Sequence, residues 1–196
     1  MRRETIGPAD VGLIIGGYRI PAARSSDSPA LAVLARILAS GETSRLNERI
    51  VQRDGTGMRP GSIFRVLAES GQLLFYSGYR RITDGPKVEA AIKEEVARLA
   101  KSPVDSYELA LAKNQLVAQA IFDAEDVAGL ASRLGAAAVV KGDALAGLLA
   151  NDKVKDVTAK DVLRVAKAYL GVSRLTIVVM PPFPDVDPAA ATGGKP

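Results

Sequence analysis

The sequence predicts an α+β fold in which helices cover one face of a mostly antiparallel sheet. Apolar, β-branched runs at both ends of the chain, a hairpin pattern between them and helical periodicity in most of the remainder support this class. The chain has 196 residues, of which 47% are apolar, and this is enough to fill one core. We therefore expect an N-terminal extension at residues 1–10, one domain over residues 11–181 and a disordered tail at residues 182–196.

The first predicted elements are a strand and a buried helix. Residues 11–20 form a short apolar run that is closed by Pro21, which is typical of a buried strand. Pro29 then stands where a helix begins, and residues 30–39 are apolar on nearly every side, so we expect this helix to be deeply buried. Because the strand starts so soon after Met1, we also expect that a longer protein or a partner chain precedes it.

A second helix is predicted after Gly41, which breaks the first. Thr43 or Ser44 is placed to cap a helix over residues 44–54, in which Leu46 and Ile50 form an apolar pair four residues apart.

Two strands are predicted next, in a hairpin. Residues 54–62 have the composition of a turn, and residues 63–69 and 73–81 then read as strands. The Ser70-Gly71 pair between them is typical of the turn of an antiparallel hairpin.

Helical periodicity dominates the second half of the chain. Residues 87–100 keep one apolar face, and a further helix opens at Asp105, which is placed to cap it while Glu108 reaches back to the same turn. Two shorter helices are predicted at residues 127–140 and 144–149.

The last predicted elements are a helix and a strand. Thr158 with Asp161 three residues later caps the helix, and residues 175–180 form a buried strand that Pro181-Pro182 stops.

The absence of histidine restricts the chemistry of the chain most strongly. The sequence contains no histidine and no cysteine, so it has no imidazole or thiolate ligand for zinc and no Ser-His-Asp or Cys-His arrangement. The acidic residues near positions 94 and 123–126 read as solvated charge, and the latter lack the glycine-centred spacing of a calcium loop. We expect no catalytic residue, no metal site and no cofactor in this chain.

The excess positive charge is arginine in the first half of the chain. Residues 1–86 carry 12 arginines, no lysine and 8 acidic residues, whereas the remainder has 14 basic and 14 acidic residues. Arg45, Arg49 and Arg53 recur every four residues, and Arg59 follows in a loop. Such a ridge suits a peptide carboxylate or an acidic segment, or it pairs with neighbouring acids as an ordinary solvated face.

Other partners receive little support. Aromatic residues make up 5% of the chain and form no stacking arrangement, so we expect no nucleic-acid partner. Glycine clusters lack the spacing of nucleotide-binding loops, and Gly16-Gly17 reads as a strand kink or a close backbone approach. No apolar run is long enough to span a membrane. The compartment stays open, periplasmic or cytoplasmic for a bacterial protein.

Four segments in order resemble the zinc metallopeptidase family of pitrilysin, insulin-degrading enzyme and mitochondrial processing peptidase. They are PALAVLARILASGETSRLNERIV, QLLFYSGYRRITDGPKVEAAIKEEVARL, VDSYELALAKNQLVAQ and VTAKDVLRVAKAYLGVSRLTIVVMPP. The resemblance spans residues 10–182 and implies the family's repeated α+β unit, two of which face each other across a substrate chamber.

The resemblance also implies which half this chain is. The family's catalytic half carries H-x-x-E-H, which this chain lacks, so the chain looks like the non-catalytic half. In the family that half often supplies an arginine and a tyrosine, seven residues apart, that hold the substrate, but Val51 and Met58 stand at the matching positions here. Arg49, Arg53 and Arg59 lie near enough in sequence to replace them in substrate binding.

The sequence therefore leads to two hypotheses. In the first, the chain closes a substrate chamber and helps bind extended peptide, while a separate histidine-bearing half, with its own zinc, hydrolyses the peptide bond. That half lies in the same polypeptide or in a separate subunit. In the second, the chain is a scaffold or protein-interaction module of the same fold with no role in proteolysis.

Overall fold

A five-stranded mixed sheet forms one layer of the computed structural model, which describes residues 1–147 and 150–184. The strand order is β1-β5-β2-β4-β3, with β1 and β5 parallel and every other neighbouring pair antiparallel. The strands are β1 (Arg2–Thr5), β2 (Gly12–Ile20), β3 (Met58–Val66), β4 (Gly71–Tyr79) and β5 (Thr176–Met180).

Helices form the second layer. The α-helices are α1 (Ser28–Ala39), α2 (Gly85–Leu99), α3 (Ser106–Phe122), α4 (Val127–Lys141), α5 (Ala150–Lys155) and α6 (Ala159–Tyr169). A π-helix covers Asn47–Arg53, and 3₁₀ turns cover Ile82–Asp84, Leu145–Gly147 and Val172–Arg174. The predicted α+β class, with helices against a mostly antiparallel sheet, is confirmed.

The core lies between the sheet and helices α1, α2 and α6. Alternate residues of the central strands are buried on this side, which we call the covered face; they are Ile14, Tyr18, Leu73, Phe75 and Ile177. Buried side chains of the three helices pack against them; these include Leu31, Leu34, Leu38, Val88, Ile92, Val96, Val162 and Val165. A Cβ added at Gly16 would overlap the Phe75 ring, so the close approach predicted at this glycine is confirmed.

Strand β1 was not predicted by the sequence. The sequence predicts an extension at residues 1–10, yet Arg2–Thr5 pair in parallel with β5 at the edge of the sheet. All four residues are exposed, so the strand depends on backbone pairing and has no apolar pattern to reveal it.

The end of the domain also extends further than predicted. Ala9 forms a bridge with Pro182, and the Phe183 amide donates to the Ala9 carbonyl at 2.8 Å. The predicted disordered tail at residues 182–196 is therefore wrong for residues 182 and 183, and residues 185–196 lie outside the described residues.

The predicted helix at residues 44–54 has a different geometry. Asn47–Arg53 is a π-helix, in which the Asp54 amide donates to the Arg49 carbonyl five residues back at 3.0 Å. The predicted cap is also wrong, because the Ser44 hydroxyl donates to the Gly41 carbonyl at 2.8 Å instead.

The later helices agree more closely with the sequence. The Thr158 and Asp161 capping box is present, and Asp105 accepts from the Tyr107 amide at 2.8 Å. Glu108 does not reach back to that turn, since both its oxygens accept from Arg45. The predicted helix at 144–149 is a short 3₁₀ turn at Leu145–Gly147, and residues 148 and 149 lie outside the described part.

Over the described ranges, no single helix has the length and apolar character that crossing a bilayer requires. One pair, Val127–Lys141 with Leu145–Lys155, meets the criterion only when joined across a 110° bend.

Candidate functional site

The side of the sheet opposite the core carries an apolar surface, which we call the open face. Its residues alternate along the strands with the buried ones and are half-buried or exposed, and no helix in the described part of the chain packs on the glycines among them. Strand register places them in three rows across the sheet: Met180, Leu13, Gly78 and Met58; then Val178, Ile15, Tyr76 and Gly61; then Thr176, Gly17, Leu74 and Ile63.

Pairs of a glycine and a large side chain flatten this surface. A Cβ added at Gly61 would overlap the Tyr76 ring, so that ring lies across the backbone of the neighbouring strand. A Cβ at Gly17 would come within 2.7 Å of Leu74 Cδ2, which shows the same arrangement on the other side of β4. Large side chains therefore lie flat along the sheet, and the open face presents a broad apolar area.

Charged residues border the open face. Arg2 and Glu4 form an ion pair on β1, next to Thr176 and Val178 of β5. Arg65 stands beyond Ile63 on β3, and both are exposed, Ile63 by 48%. An apolar centre with a charged border is typical of a surface that contacts another protein or domain.

A second concave feature, which we call the arginine cleft, lies within the helical layer. It encloses about 420 Å³ between the end of α1, the π-helix, α2 and the start of α3. Five arginines and four acidic residues line it: Arg36, Arg45, Arg49, Arg53, Arg98, Glu48, Glu95, Asp105 and Glu108.

Most of these arginines are held by carboxylates. Arg45 donates from Nε and Nη2 to the two oxygens of Glu108, at 2.7 and 2.8 Å, and this bidentate contact raises the pKa of Arg45. Arg98 donates to Glu95 Oε1 at 2.9 Å.

Two of the arginines, Arg49 and Arg53, share one carboxylate partner. Arg49 donates to Asp54 at 2.7 Å and to Glu94 at 3.1 Å, and Arg53 donates to Asp54 at 3.3 Å.

The three arginines that the sequence groups as candidates for substrate binding lie on two elements, the π-helix and β3. Arg49 and Arg53 line the arginine cleft, whereas Arg59 is exposed on β3 at a bulge where its φ is +46°. Met58, at one of the two clamp positions, lies over Gly78 on the open face, and Val51 is half-buried on the π-helix.

Sequence reasoning missed the open face. Leu13 and Ile15 are as apolar as Ile14, so β2 shows no alternation of polar and apolar residues and reads as a strand buried on both sides. The signal that could have found the surface is the placement of Gly17, Gly61 and Gly78 within strands, since strand glycines often mark close packing.

The residues of this chain do not fit a zinc ion. The sequence offers no imidazole or thiolate, and residues 1–147 and 150–184 contain no cluster of three or more acidic side chains placed to hold a metal.

Comparison with known proteins shows which family the chain resembles. The family model described as the Peptidase M16 inactive domain matches residues 6–116. Zinc protease PqqE of Helicobacter pylori is 30% identical over 173 residues, which cover 85% of this chain and 37% of that protein. The chain thus spans well under half the length of this relative.

Solved structures share the fold. The peptidase M16 inactive domain from Pseudomonas fluorescens superposes with a TM-score of 0.82 at 17% identity, covering 92% of this chain and 43% of that one. A chain from Bordetella pertussis Tohama I, described as a zinc protease, superposes with a TM-score of 0.77 at 26% identity. The match covers 89% of this chain and 96% of that one. The resemblance to the pitrilysin-type peptidases is confirmed: this chain belongs to the M16 peptidase family of zinc proteases, as an inactive domain of that family.

Proposed function

We propose that this chain is the non-catalytic half of a zinc peptidase, which closes a substrate chamber and helps to bind extended peptide. A separate histidine-bearing half, with zinc bound to it, hydrolyses the peptide bond in this proposal. The open face is the observation that carries it, because a broad apolar surface on one side of a sheet is stable in water mainly when another element covers it.

The partner is another part of a longer assembly. The relative PqqE is named a zinc protease, and this chain corresponds to 37% of it, which leaves room for a second half of similar size. In this chain's own protein that half lies in the same polypeptide or in a separate subunit.

Extended peptide is the expected substrate. Strand β3 is an edge strand, so one side of its backbone has N–H and C=O groups that pair with no other strand of the described sheet. Extended peptides bind such edges by adding a strand. Arg59 stands on this edge, and its guanidinium suits a carboxylate of the substrate.

Peptidase assays on the chain and its partner test the proposal. We expect the purified 196-residue chain with added zinc to leave a fluorogenic peptide uncut, because it lacks zinc ligands. Mixed with the histidine-bearing half, it should raise hydrolysis above the level of that half alone, and a chelator should abolish the activity.

Two outcomes would contradict the proposal. Chelator-sensitive hydrolysis by the purified chain alone would show that it is itself a catalytic unit. Absence of H-x-x-E-H from both the rest of the polypeptide and the neighbouring genes would favour the scaffold hypothesis.

A further inference from the structure

Helix α4 presents an uncharged, largely apolar surface to the solvent. Val127 is 85% exposed and Val139 is 80% exposed, and the residues between them on the same side are exposed as well. We call this side the α4 strip; its residues are Val127, Ala128, Ala131, Ser132, Gly135, Ala136, Ala138 and Val139. The outward side of a surface helix usually carries charged residues, so this strip is typical of a surface that another element covers.

The opposite side of α4 holds the helix to the rest of the chain. Ala137 is buried, and the Arg133 guanidinium donates to the carbonyls of Ala120 and Gly147, both at 2.8 Å. These contacts orient the α4 strip away from the domain. No residue in the described part of the chain covers it.

Small side chains make the α4 strip suited to a second helix. Ala131 and Gly135 stand at its centre, and a Cβ added at Gly135 would meet nothing within 4 Å. Two helices approach to about 8 Å between their axes where the side chains at the contact are small. A second helix can therefore bury the strip along its whole length.

The two ends of the α4 strip carry opposite charges. Glu125 and Asp126 directly precede α4 and are exposed. At the other end, Lys141 is the last residue of α4, and Arg24 Nη2 lies 3.0 Å from the position of a Cβ on Gly142. None of these four charged groups forms an ion pair with a residue that the structure describes. An antiparallel helix of the same sequence would set acid against base at both ends.

We propose that two copies of this chain form a twofold-symmetric dimer in which their α4 strips pack antiparallel. In this arrangement Glu125 of each copy lies opposite Lys141 of the other. The same surface is used on both copies, as in most symmetric dimers. Helix α4 has 15 residues and is about 22 Å long, so the contact is small and the dimer dissociates on dilution.

The register of this pairing matches large residues with large ones and small with small. When Glu125 of one copy stands opposite Lys141 of the other, Val127 faces Val139 and Ala131 faces Gly135. The smallest pair is thus nearest the twofold axis, where the helices cross. The valines pack at both ends and are removed from water there.

The dimer is independent of the chamber role. The α4 strip lies on a helix of the second layer, and none of its residues belongs to the open face. Either proposal can therefore fail without the other.

Sedimentation velocity of the 196-residue chain at increasing concentrations tests the dimer. We expect the wild type to pass from monomer to dimer. Gly135→Glu should weaken the dimer by about tenfold or more, because it places a charge and a long side chain where the helices meet. Its side chain enters open space and glutamate favours a helix over glycine, so the variant should fold. Ala110→Glu, at an exposed alanine on α3, is the matched control and should dimerise as the wild type does.

A charge exchange tests the antiparallel register. Glu125→Lys and Lys141→Glu should each weaken the dimer by about three- to tenfold, since each sets like charges together at both ends. The two changes combined should restore it. An effect of these charges on the helix alone would add up in the combined variant, whereas a contact across the twofold axis is restored.

Three results would overturn the proposal. The first is a wild-type chain that stays monomeric at every concentration. The second is a dimer that Gly135→Glu retains and Ile15→Glu loses, which would place the contact on the open face. The third is a monomeric chain whose binding to the histidine-bearing half is lost in Gly135→Glu, because that half would then cover the α4 strip.

Discussion

The two faces of the sheet are built from the same strands, but among the described residues helices cover only one of them. On the covered face, Phe75 packs over Gly16 and under helices, and it is fully buried. One residue later, Tyr76 lies over Gly61 in the same way, but it is only half-buried because no helix within the described residues covers it. Close packing within a sheet is thus common to both faces, and burial by a second layer distinguishes core from contact surface.

The largest expected difference concerns the two aromatic neighbours. Phe75→Ala should destabilise the chain by about 3–5 kcal/mol, because it removes a buried ring and leaves a cavity. Tyr76→Ala should cost under about 1 kcal/mol in the isolated chain, since its ring is already partly in water. Urea denaturation of both variants measures the contrast, and equal losses would mean that the open face is part of the core.

Tyr18 makes the stability of the covered face depend on pH. It lies on the covered face with its hydroxyl buried and without a partner among the described residues, and burial raises its pKa to about 12. An acid whose pKa is raised by folding contributes stability that is present below its unfolded pKa, near 10, and is lost as the pH rises through the folded value.

Tyr18→Phe should therefore be at least as stable as the wild type at pH 7 and progressively more stable by comparison between pH 10 and 12. The gap should reach up to about 3 kcal/mol, from a shift of roughly two units. Urea denaturation at pH 9 and pH 11 measures it, and a gap that does not widen would show that Tyr18 titrates as it does in the unfolded chain.

Two glycines give the next contrast. Gly16→Ala should destabilise by about 1–3 kcal/mol, because the new methyl group overlaps a Phe75 ring that is enclosed on the covered face. Gly61→Ala meets the end of the Tyr76 ring, which has solvent to move into, so the cost should be smaller. Thermal unfolding of the pair checks this, and a reversed order would count against the assignment of the faces.

The parts of the fold that follow local rules were predictable from the sequence. The capping box of Thr158 and Asp161 depends on two residues at fixed spacing, and the buried helix around Leu34 shows in its composition. Strand β1 is different, because it is held by backbone pairing with a strand more than 170 residues away. Its sequence, RRET, contains no sign of that partner.

The candidate sites were less predictable for a similar reason. The prediction that Arg45, Arg49 and Arg53 share one face rests on α-helical geometry, but a π-helix carries Arg49 and Arg53. The ion pair of Arg45 with Glu108 joins residues 63 positions apart, which no local pattern reveals. The sequence could indicate that arginines cluster here. It could not show that Arg45 would pair with Glu108, since that depends on the π-helix and α3 meeting at one cleft.

Binding of the histidine-bearing half to this chain tests the role of the open face most directly. Ile15 lies in the middle row of that face, and Ile15→Glu places a charge where the partner would exclude water. Tyr107→Glu, at a side chain that is 76% exposed on α3, is the matched control. With both variants folded, we predict at least about a hundredfold weaker binding for Ile15→Glu and wild-type affinity for Tyr107→Glu. Wild-type affinity for Ile15→Glu would contradict the account, because the partner would then bind elsewhere.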